Sequence, residues 1–388
     1  MIPAKKAAPV RAVTVGLPDA VLRGGPNGIR ELGEQAREVG DELVRDGFDV
    51  QTIRLSASAL GDPLRHDQLL SRAADLAEGC RRAGVGSASL GVFRPAALTG
   101  LEPADLAAVL AEYPSLFLAV QVAAGSEICD PAVGFSAAVV RELANHNVHD
   151  NFRFAAIGNL GPGAPLFPGS FSDGGPAGVS AGLQSAGLLL EWARANPPAD
   201  PAEVTVLTQR CLRDQLALLE DSLRPACERH GLLFNGFDPS PACTPEAGIG
   251  EFLEAVGGIR FGVRGMLATC AAVTAGIRSA ARRTVGYAGL MLPVLEDKVL
   301  ALAWQEGRID ADSVLAYSSV CGAGLDTIPL PGATSEAEIV AMIRDMAALS
   351  ARWAKPLSAR LMLAAPGSDP RRTQFCADEI VNIDYPGT

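Results

Sequence analysis

The 388-residue sequence predicts an α/β fold, either a parallel or mixed sheet covered by helices or a closed barrel. Three observations carry that expectation. Strand-length apolar runs alternate with helical apolar stripes along most of the chain. Several of the helices are rich in small residues, which lets helix and sheet approach closely. No linker separates two halves, so residues 1–388 read as a single domain. Composition alone does not choose between an open sheet and a barrel.

The elements follow in order. RAVTVGL at 11–17 is an apolar run of strand length. Between Gly25 and Gly47, the residues Ile29, Leu32, Ala36, Val39 and Leu43 form a helical stripe with charges between them. Residues 48–55 return to strand character, completing a βαβ unit. The alternation predicts a helix over 65–83, a strand over 87–93, a helix over 103–111 and a strand over 116–122. A helix over 132–144 and a strand over 152–157 come next. The Gly/Pro-rich stretch 158–178 is long for a loop in a compact unit and is therefore a candidate binding segment.

Residues 181–195 read as an apolar helix ended by Pro197 and Pro198. Residues 202–230 read as one long amphipathic helix, or as two with a kink near Pro225. A strand over 232–237, a helix over 248–256 and an alanine-rich helix over 263–281 follow. A strand is expected over 285–292 and a helix over 294–305. Past a loop around Cys321, a helix over 335–353 and a strand over 358–365 close the chain.

Composition narrows the function classes. The formal charge of -11 and the lack of a dense Lys/Arg block argue against a nucleic-acid surface. Aromatics at 5% offer few stacking platforms for bases. No apolar window reaches membrane-spanning length, so a soluble, cytoplasmic protein is expected. The eight cysteines, at 80, 129, 211, 227, 243, 270, 321 and 376, have no CxxC or zinc-knuckle spacing and read as reduced, mostly structural thiols. No nicotinamide, flavin, haem or iron–sulfur fingerprint is present. The expected partners are a small-molecule substrate and, from the apolar helices at 181–195 and 263–281, further copies of the chain.

The stretch YSSVCGAGLDTIPLP at 317–331 concentrates the chemistry-bearing residues. Gly322 and Gly324 flank Ala323 and permit a tight turn or a close approach to ligand, while Pro329 and Pro331 stiffen the exit. Cys321 reads as a nucleophile or acid and Asp326 as its carboxylate partner; the plainer alternative is a buried cysteine beside a turn. Glu296 and Asp297 end an apolar run, where barrel carboxylates emerge, though acidic residues also favour the first turn of a helix. Asp238, Ser240 and Cys243 follow one strand, as Asp19 and Arg23 follow another. Arg360 is the candidate clamp for a substrate carboxylate, with an ordinary salt bridge as the alternative.

A divalent metal is conceivable at His146, His149 and Asp150, or at Asp150, Asp173, Glu296 and Asp297. Glu127, Cys129 and Asp130 form a further polar cluster. The glycines of GGPNG at 24–28 and GNLGPGAP at 158–165 lack the strand–GxGxxG–helix context of a nucleotide loop.

Five segments carry a resemblance: VRAVTVGL at 10–17, FNGFDPSPAC at 234–243, GYAGLMLPVLED at 286–297, SVCGAGLDTIPLPG at 319–332 and, more weakly, KPLSARLMLAAPG at 355–367. They resemble the bacterial and archaeal proteins of uncharacterised family 0210, the domain of unknown function 711. The resemblance implies a ten-stranded α/β barrel similar to pyruvate formate-lyase and anaerobic ribonucleotide reductase. It places Cys321 at the position of their radical-carrying cysteine, with Asp238 and the 296–297 carboxylates in matched segments. RTVGY at 283–287 superficially resembles a glycyl-radical segment but precedes the cysteine, so the barrel is expected without the glycyl radical. Residues 167–187 replace a bulkier, more acidic stretch of the family.

Two function classes result. One is a non-radical enzyme on a small polar or carboxylate-bearing metabolite, carrying out cyclisation, hydrolysis or elimination. Its catalytic residues would be Cys321, Asp326, Glu296 and Asp238, with Arg360, Gly322, Gly324 and Thr327 binding substrate. The other is a ligand-binding or assembly protein on a barrel that has lost its chemistry. An exposed Cys321 beside a carboxylate favours the first, and an interior filled by side chains favours the second.

Overall fold

Strand β1 (Val10–Gly16), the short helix α1 (Asp19–Arg23) and helix α2 (Pro26–Arg45) begin the alternation. Helix α2 buries the stripe read from the sequence, Ile29 through Leu43, on one face. The computed structural model describes residues 7–198, 200–375 and 379–386; Cys376 lies outside them. Next come β2 (Ile53–Ser56), α3 (His66–Ala83), β3 (Ser87–Phe93), α4 (Pro103–Glu112) and β4 (Leu116–Ala124). A two-residue β5 (Glu127–Ile128), α5 (Asp130–His146) and β6 (Phe154–Gly158) complete the first half.

The second half departs more from the sequence reading. Residues 178–183, GVSAGL, form strand β7 (Gly178–Leu183), and helix α6 starts only afterwards (Ala186–Ala195). Helix α7 (Pro201–Arg229) is a single 29-residue helix that contains Pro225, and Asp200 caps it by accepting from the Glu203 amide. Then follow β8 (Leu233–Asp238), α8 (Ile249–Gly257), α9 (Met266–Arg278), α10 (Lys298–Gln305), α11 (Ala311–Ser318), β9 (Gly324–Leu330), α12 (Glu336–Trp353) and β10 (Leu357–Leu363). The expected loop around Cys321 is thus a helix end, a short turn and a strand that includes Pro329.

The described strands form one ten-stranded mixed sheet in the order β8-β7-β1-β2-β3-β4-β6-β10-β9, with β5 attached to β4. Strands β1, β2, β3, β4 and β6 run parallel. The pairs β7–β8 and β9–β10 are each parallel, and they join the first block through antiparallel seams at β1–β7 and β6–β10. Residues 285–292, expected as a strand, are irregular. They still bridge both edges of the sheet, through Thr284 to Phe237 on β8 and Pro293 to Asp326 on β9, each in parallel sense.

The segment 159–177 packs against several strands of this sheet. Thr14 on β1 donates to the Pro165 carbonyl at 2.8 Å, and Ser89 on β3 donates to the Ser170 carbonyl at 2.6 Å. Phe117 on β4 packs on Phe167, over which lies the Arg54 guanidinium of β2. Leu160, Ala164 and Phe171 pack with Ala119, Ala155, Ile157 and Tyr287. One short segment reaches β1, β2, β3, β4, β6 and Tyr287 together. Strands spaced about 4.8 Å apart in a flat sheet would not allow that, so the arrangement is consistent with a closed α/β barrel. The expected binding loop thus packs against the strands through its middle, and its residues also line a cavity.

Candidate functional site

Three of the carboxylates expected to do chemistry come from three stretches: Asp238 from the end of β8, Glu296 from the irregular segment 284–297 and Asp326 from β9. Asp238, at the end of β8, is fully buried. Its carboxylate accepts from the amides of Ser240 (3.0 Å), Tyr287 (2.9 Å) and Ala288 (3.2 Å). Burial pushes its pKa up, and the Ser240 hydroxyl first, then these amides, pull against that shift. Ser240 Oγ accepts from the Gly289 amide, and Thr327 Oγ1 accepts from the Leu295 amide. The Gly322 amide donates to the Leu290 carbonyl at 2.7 Å. Side chains and amides from β8 and β9 thus replace the ladder that the irregular segment cannot make with regular geometry.

Arg360, central in β10, is buried and pairs with two carboxylates. Its Nε donates to Asp326 Oδ1 at 2.7 Å, and a terminal nitrogen donates to Glu296 Oε1. Its guanidinium stacks over Phe152 at 4.5 Å from the ring centroid. One cation serves two buried carboxylates, so one negative charge lacks a full counterpart. Glu296 is accordingly pushed up to about 7, first by burial, with Arg360 pulling down and Asp326 adding to the rise. The two carboxylates hold Arg360 above its usual range against a large desolvation cost. On this geometry Arg360 is the ordinary salt bridge of the alternative, with its fork already occupied.

Cys321 lies apart from these carboxylates. It is 2% exposed in the main hydrophobic core. Burial raises its thiol to about 11, opposed first by the Lys355 cation and then by a Ser318 hydrogen bond and Arg278. Lys355, itself pushed down to about 8 by burial, donates to the Ser318 carbonyl at 2.7 Å. At neutral pH about one thiol in ten thousand is ionised at such a pKa. The expectation that Cys321 and Asp326 share one pocket is not met: the thiol has Lys355, Ser318 and Cys270 of α9 around it, whereas the carboxylate pairs with Arg360. Cys243 is the cysteine nearest in field to Asp297, Glu296 and Asp326; burial first, then those charges, raise its thiol.

Gly322, Gly324 and Thr327, expected to bind substrate, are buried in the wall. A Cβ on Gly322 would meet the Gly289 backbone at 2.9 Å, so two glycines cross there in direct contact. Gly324 opens β9 against the Ser358 backbone. Thr327 holds φ at 46°, a strained value for a β-branched residue. Asp297 caps α10, accepting from Val299 and Leu300, and also accepts from Gly250.

The remaining candidates disperse. Asp150 accepts from Arg153 at 2.6 Å and from Asn147 at 3.1 Å, while His149 packs edge-on against Phe375. Among the described residues, no group of three or more His, Cys, Asp or Glu is placed to hold a metal ion. Asp130 pairs with Arg344, and Cys129, partly exposed, precedes the first turn of α5 without a side-chain capping bond and lines a cavity with Glu127. Asp19 donates its amide to the Gly174 carbonyl.

A second cavity, of about 270 Å³, is lined in large part by the stretch 158–178 expected as a binding segment, including Ser170 and Asp173, together with Thr14, Ser56, Ser180 and Asn235, which the sequence did not single out. Ser180 was the residue the sequence hid, because GVSAGL carries a single β-branched side chain, Val179, and read as the start of a helix. Among the described residues, no helix is long and apolar enough to cross a membrane.

Residues 2–370 match the family model described as "Uncharacterised ACR (DUF711)", and the chain belongs to that family. It is similar to a UPF0210 protein of Pyrobaculum arsenaticum, 31% identical over 62% of this chain and 54% of that protein. A UPF0210 protein of Pyrobaculum islandicum is 28% identical over 84% of this chain and 76% of its own length. One from Methanopyrus kandleri is 28% identical over 93% and 87%. The chain spans about half the length of the first of these relatives.

Proposed function

We propose that this member of the family is a small-molecule-binding protein on a ten-stranded barrel laid out like those of pyruvate formate-lyase and anaerobic ribonucleotide reductase. In this reading two five-stranded parallel blocks face each other through the antiparallel seams, and residues 284–293 serve as the tenth stave. The observation that carries the functional reading is the state of the interior: segment 159–177 occupies it, and the Cys321 thiol is buried and protonated. Asp238 and Thr327 are engaged in holding the wall, and Arg360 is engaged by Glu296 and Asp326. A thiol and a guanidinium committed in this way offer no free group to a substrate.

Two measurements on the purified full chain test it. Native mass spectrometry should show a small molecule retained by the wild type and equally by Cys321→Ser. Native alkylation with iodoacetamide, read by peptide mapping, should leave Cys321 intact while Cys129 reacts. Fast labelling of Cys321, together with metabolite turnover that Cys321→Ser abolishes, would overturn the reading in favour of a cysteine enzyme.

One observation favours a second, catalytic reading without the cysteine. Glu296 is held near neutrality beside Arg360, as a group that gives and takes protons at physiological pH would be. Under that reading a small polar metabolite reaches the cluster, and turnover has an acid or base limb near pH 7 that Glu296→Gln removes. The chain is proposed to work as a self-associated, cytoplasmic protein with a small molecule as its partner.

A further inference from the structure

The cavity of about 270 Å³ lies between the ends of β1 and β2 and the starts of β7 and β8. We propose that it binds a small hydroxylated amine; the inference rests on the ligand-binding reading and names its site and ligand class. The argument begins with where the wall's protons go. Thr14 donates its hydroxyl proton to the Pro165 carbonyl at 2.8 Å. Ser170 donates to the Ala164 carbonyl, and its oxygen lies 2.9 Å from that of Ser56. With the Ser170 proton committed, the Ser56 hydroxyl donates to Ser170. These hydroxyls have spent their protons inside the protein, so what they present to the cavity is lone pairs.

Charge selects further. The cavity's one charged wall residue is Asp173, and among the described residues no lysine, arginine or histidine lines it. Asp173 Oδ1 accepts from the Gly175 amide at 3.0 Å, leaving the second carboxylate oxygen for another donor. An acceptor-rich wall with one carboxylate suits a ligand rich in donors and without negative charge. A phosphate or a carboxylate would meet lone pairs and a like charge.

An independent observation points to an occupant. Ser180, on β7, is 1% exposed and lines the cavity, and its hydroxyl has no hydrogen-bond partner among the described residues. A buried hydroxyl left unpaired is costly, so such groups normally find a partner. A ligand hydroxyl would satisfy it, while an ammonium group meets Asp173. Asn235 on β8 lines the same wall and adds an amide with both donor and acceptor. The volume is at the small end for ligand pockets, which limits the ligand to about the size of a small amino alcohol or amino sugar.

Titration calorimetry with the full chain tests this, using serinol and glucosamine as probes and glycerol and malate as comparators. Serinol or glucosamine is expected to bind more tightly than glycerol, and malate not to bind. Asp173→Asn should weaken the amine at least tenfold. Ser180→Leu, which fills the cavity, should abolish binding; if that variant does not fold, Asn235→Ala on the exposed strand position should weaken it at least threefold. Amine binding that neither Asp173→Asn nor Asn235→Ala changes would overturn the site, and preference for malate would overturn the ligand class. Failure of all four probes would also overturn the inference. In each case a retained small molecule in native mass spectrometry would leave the binding reading standing, whereas cysteine-dependent turnover would remove that reading itself.

Discussion

Glu296 and Asp238 show at the residue scale how a buried carboxylate becomes structure. Glu296 has a folded pKa raised to about 7 from an ordinary 4.5. A raised carboxylate contributes stability that is fully present below its unfolded pKa and is lost as pH climbs through the folded one. Wild-type stability should therefore fall between about pH 4.5 and 7 more steeply than that of Glu296→Gln, as urea titrations at several pH values would show. Equal slopes would mean that Arg360 keeps Glu296 ionised throughout. Asp238→Ala leaves the amides of Ser240, Tyr287 and Ala288 without their acceptor. At about 1–3 kcal/mol for each stranded buried group, the loss should reach about 3 kcal/mol or more. A loss under 1 kcal/mol by denaturant titration would show that the segment finds other acceptors.

The element that most needs explanation is the irregular stretch 284–297. It has strand-like composition, yet it makes only a bridge at each end, to β8 and to β9. What holds it is a set of side-chain and backbone bonds, and at one point a crossing of Gly289 with Gly322. A Cβ on Gly289 would lie 2.8 Å from the Gly322 Cα, with backbone on both sides and nothing flexible to yield. Gly289→Ala and Gly322→Ala should each cost about 1–3 kcal/mol, the range for overpacking a filled site. Hydrogen exchange in these variants should quicken first at the amides of Tyr287 and Leu295; protection unchanged from wild type would show that the crossing is not what secures the segment.

For the whole molecule, the apolar helix faces that promised self-association are largely covered within the chain. Helix α9 buries Met266, Cys270, Val273 and Ile277, and packs on α7. Helix α6 buries Ala186, Leu189 and Ala193. Val206 on α7 and Leu267 on α9 stay exposed, and they keep the expectation alive at a smaller scale. Light scattering should give a mass above the 40.2 kDa of one chain, and Leu267→Glu should bring it down. A wild-type mass of one chain at micromolar concentration would remove self-association.

Local chemistry was enough to place the elements whose side chains carry a strong period. Strand β3 at 87–93 falls on the residues read from the sequence, and α4 and α12 differ from it by one residue. The capping pair Ser335 and Glu338 fixes the start of α12 through contacts three residues apart, within reach of local reading. Strand β7 was hidden because GVSAGL has little β-branched surface. Pairing with β1 on one side and β8 on the other makes it a strand. The same division runs through the candidate site. That Asp238, Glu296, Asp326 and Arg360 stand out was legible as polar residues in apolar runs. Which of them meet, and that Cys321 turns away from them, depends on partners 34 and 64 residues distant for Arg360 and 49 for Asp238. Those pairings exist only once β9 lies beside β10 and the segment 284–297 lies against β8 and β9, because strand register decides which side chains face each other across the sheet.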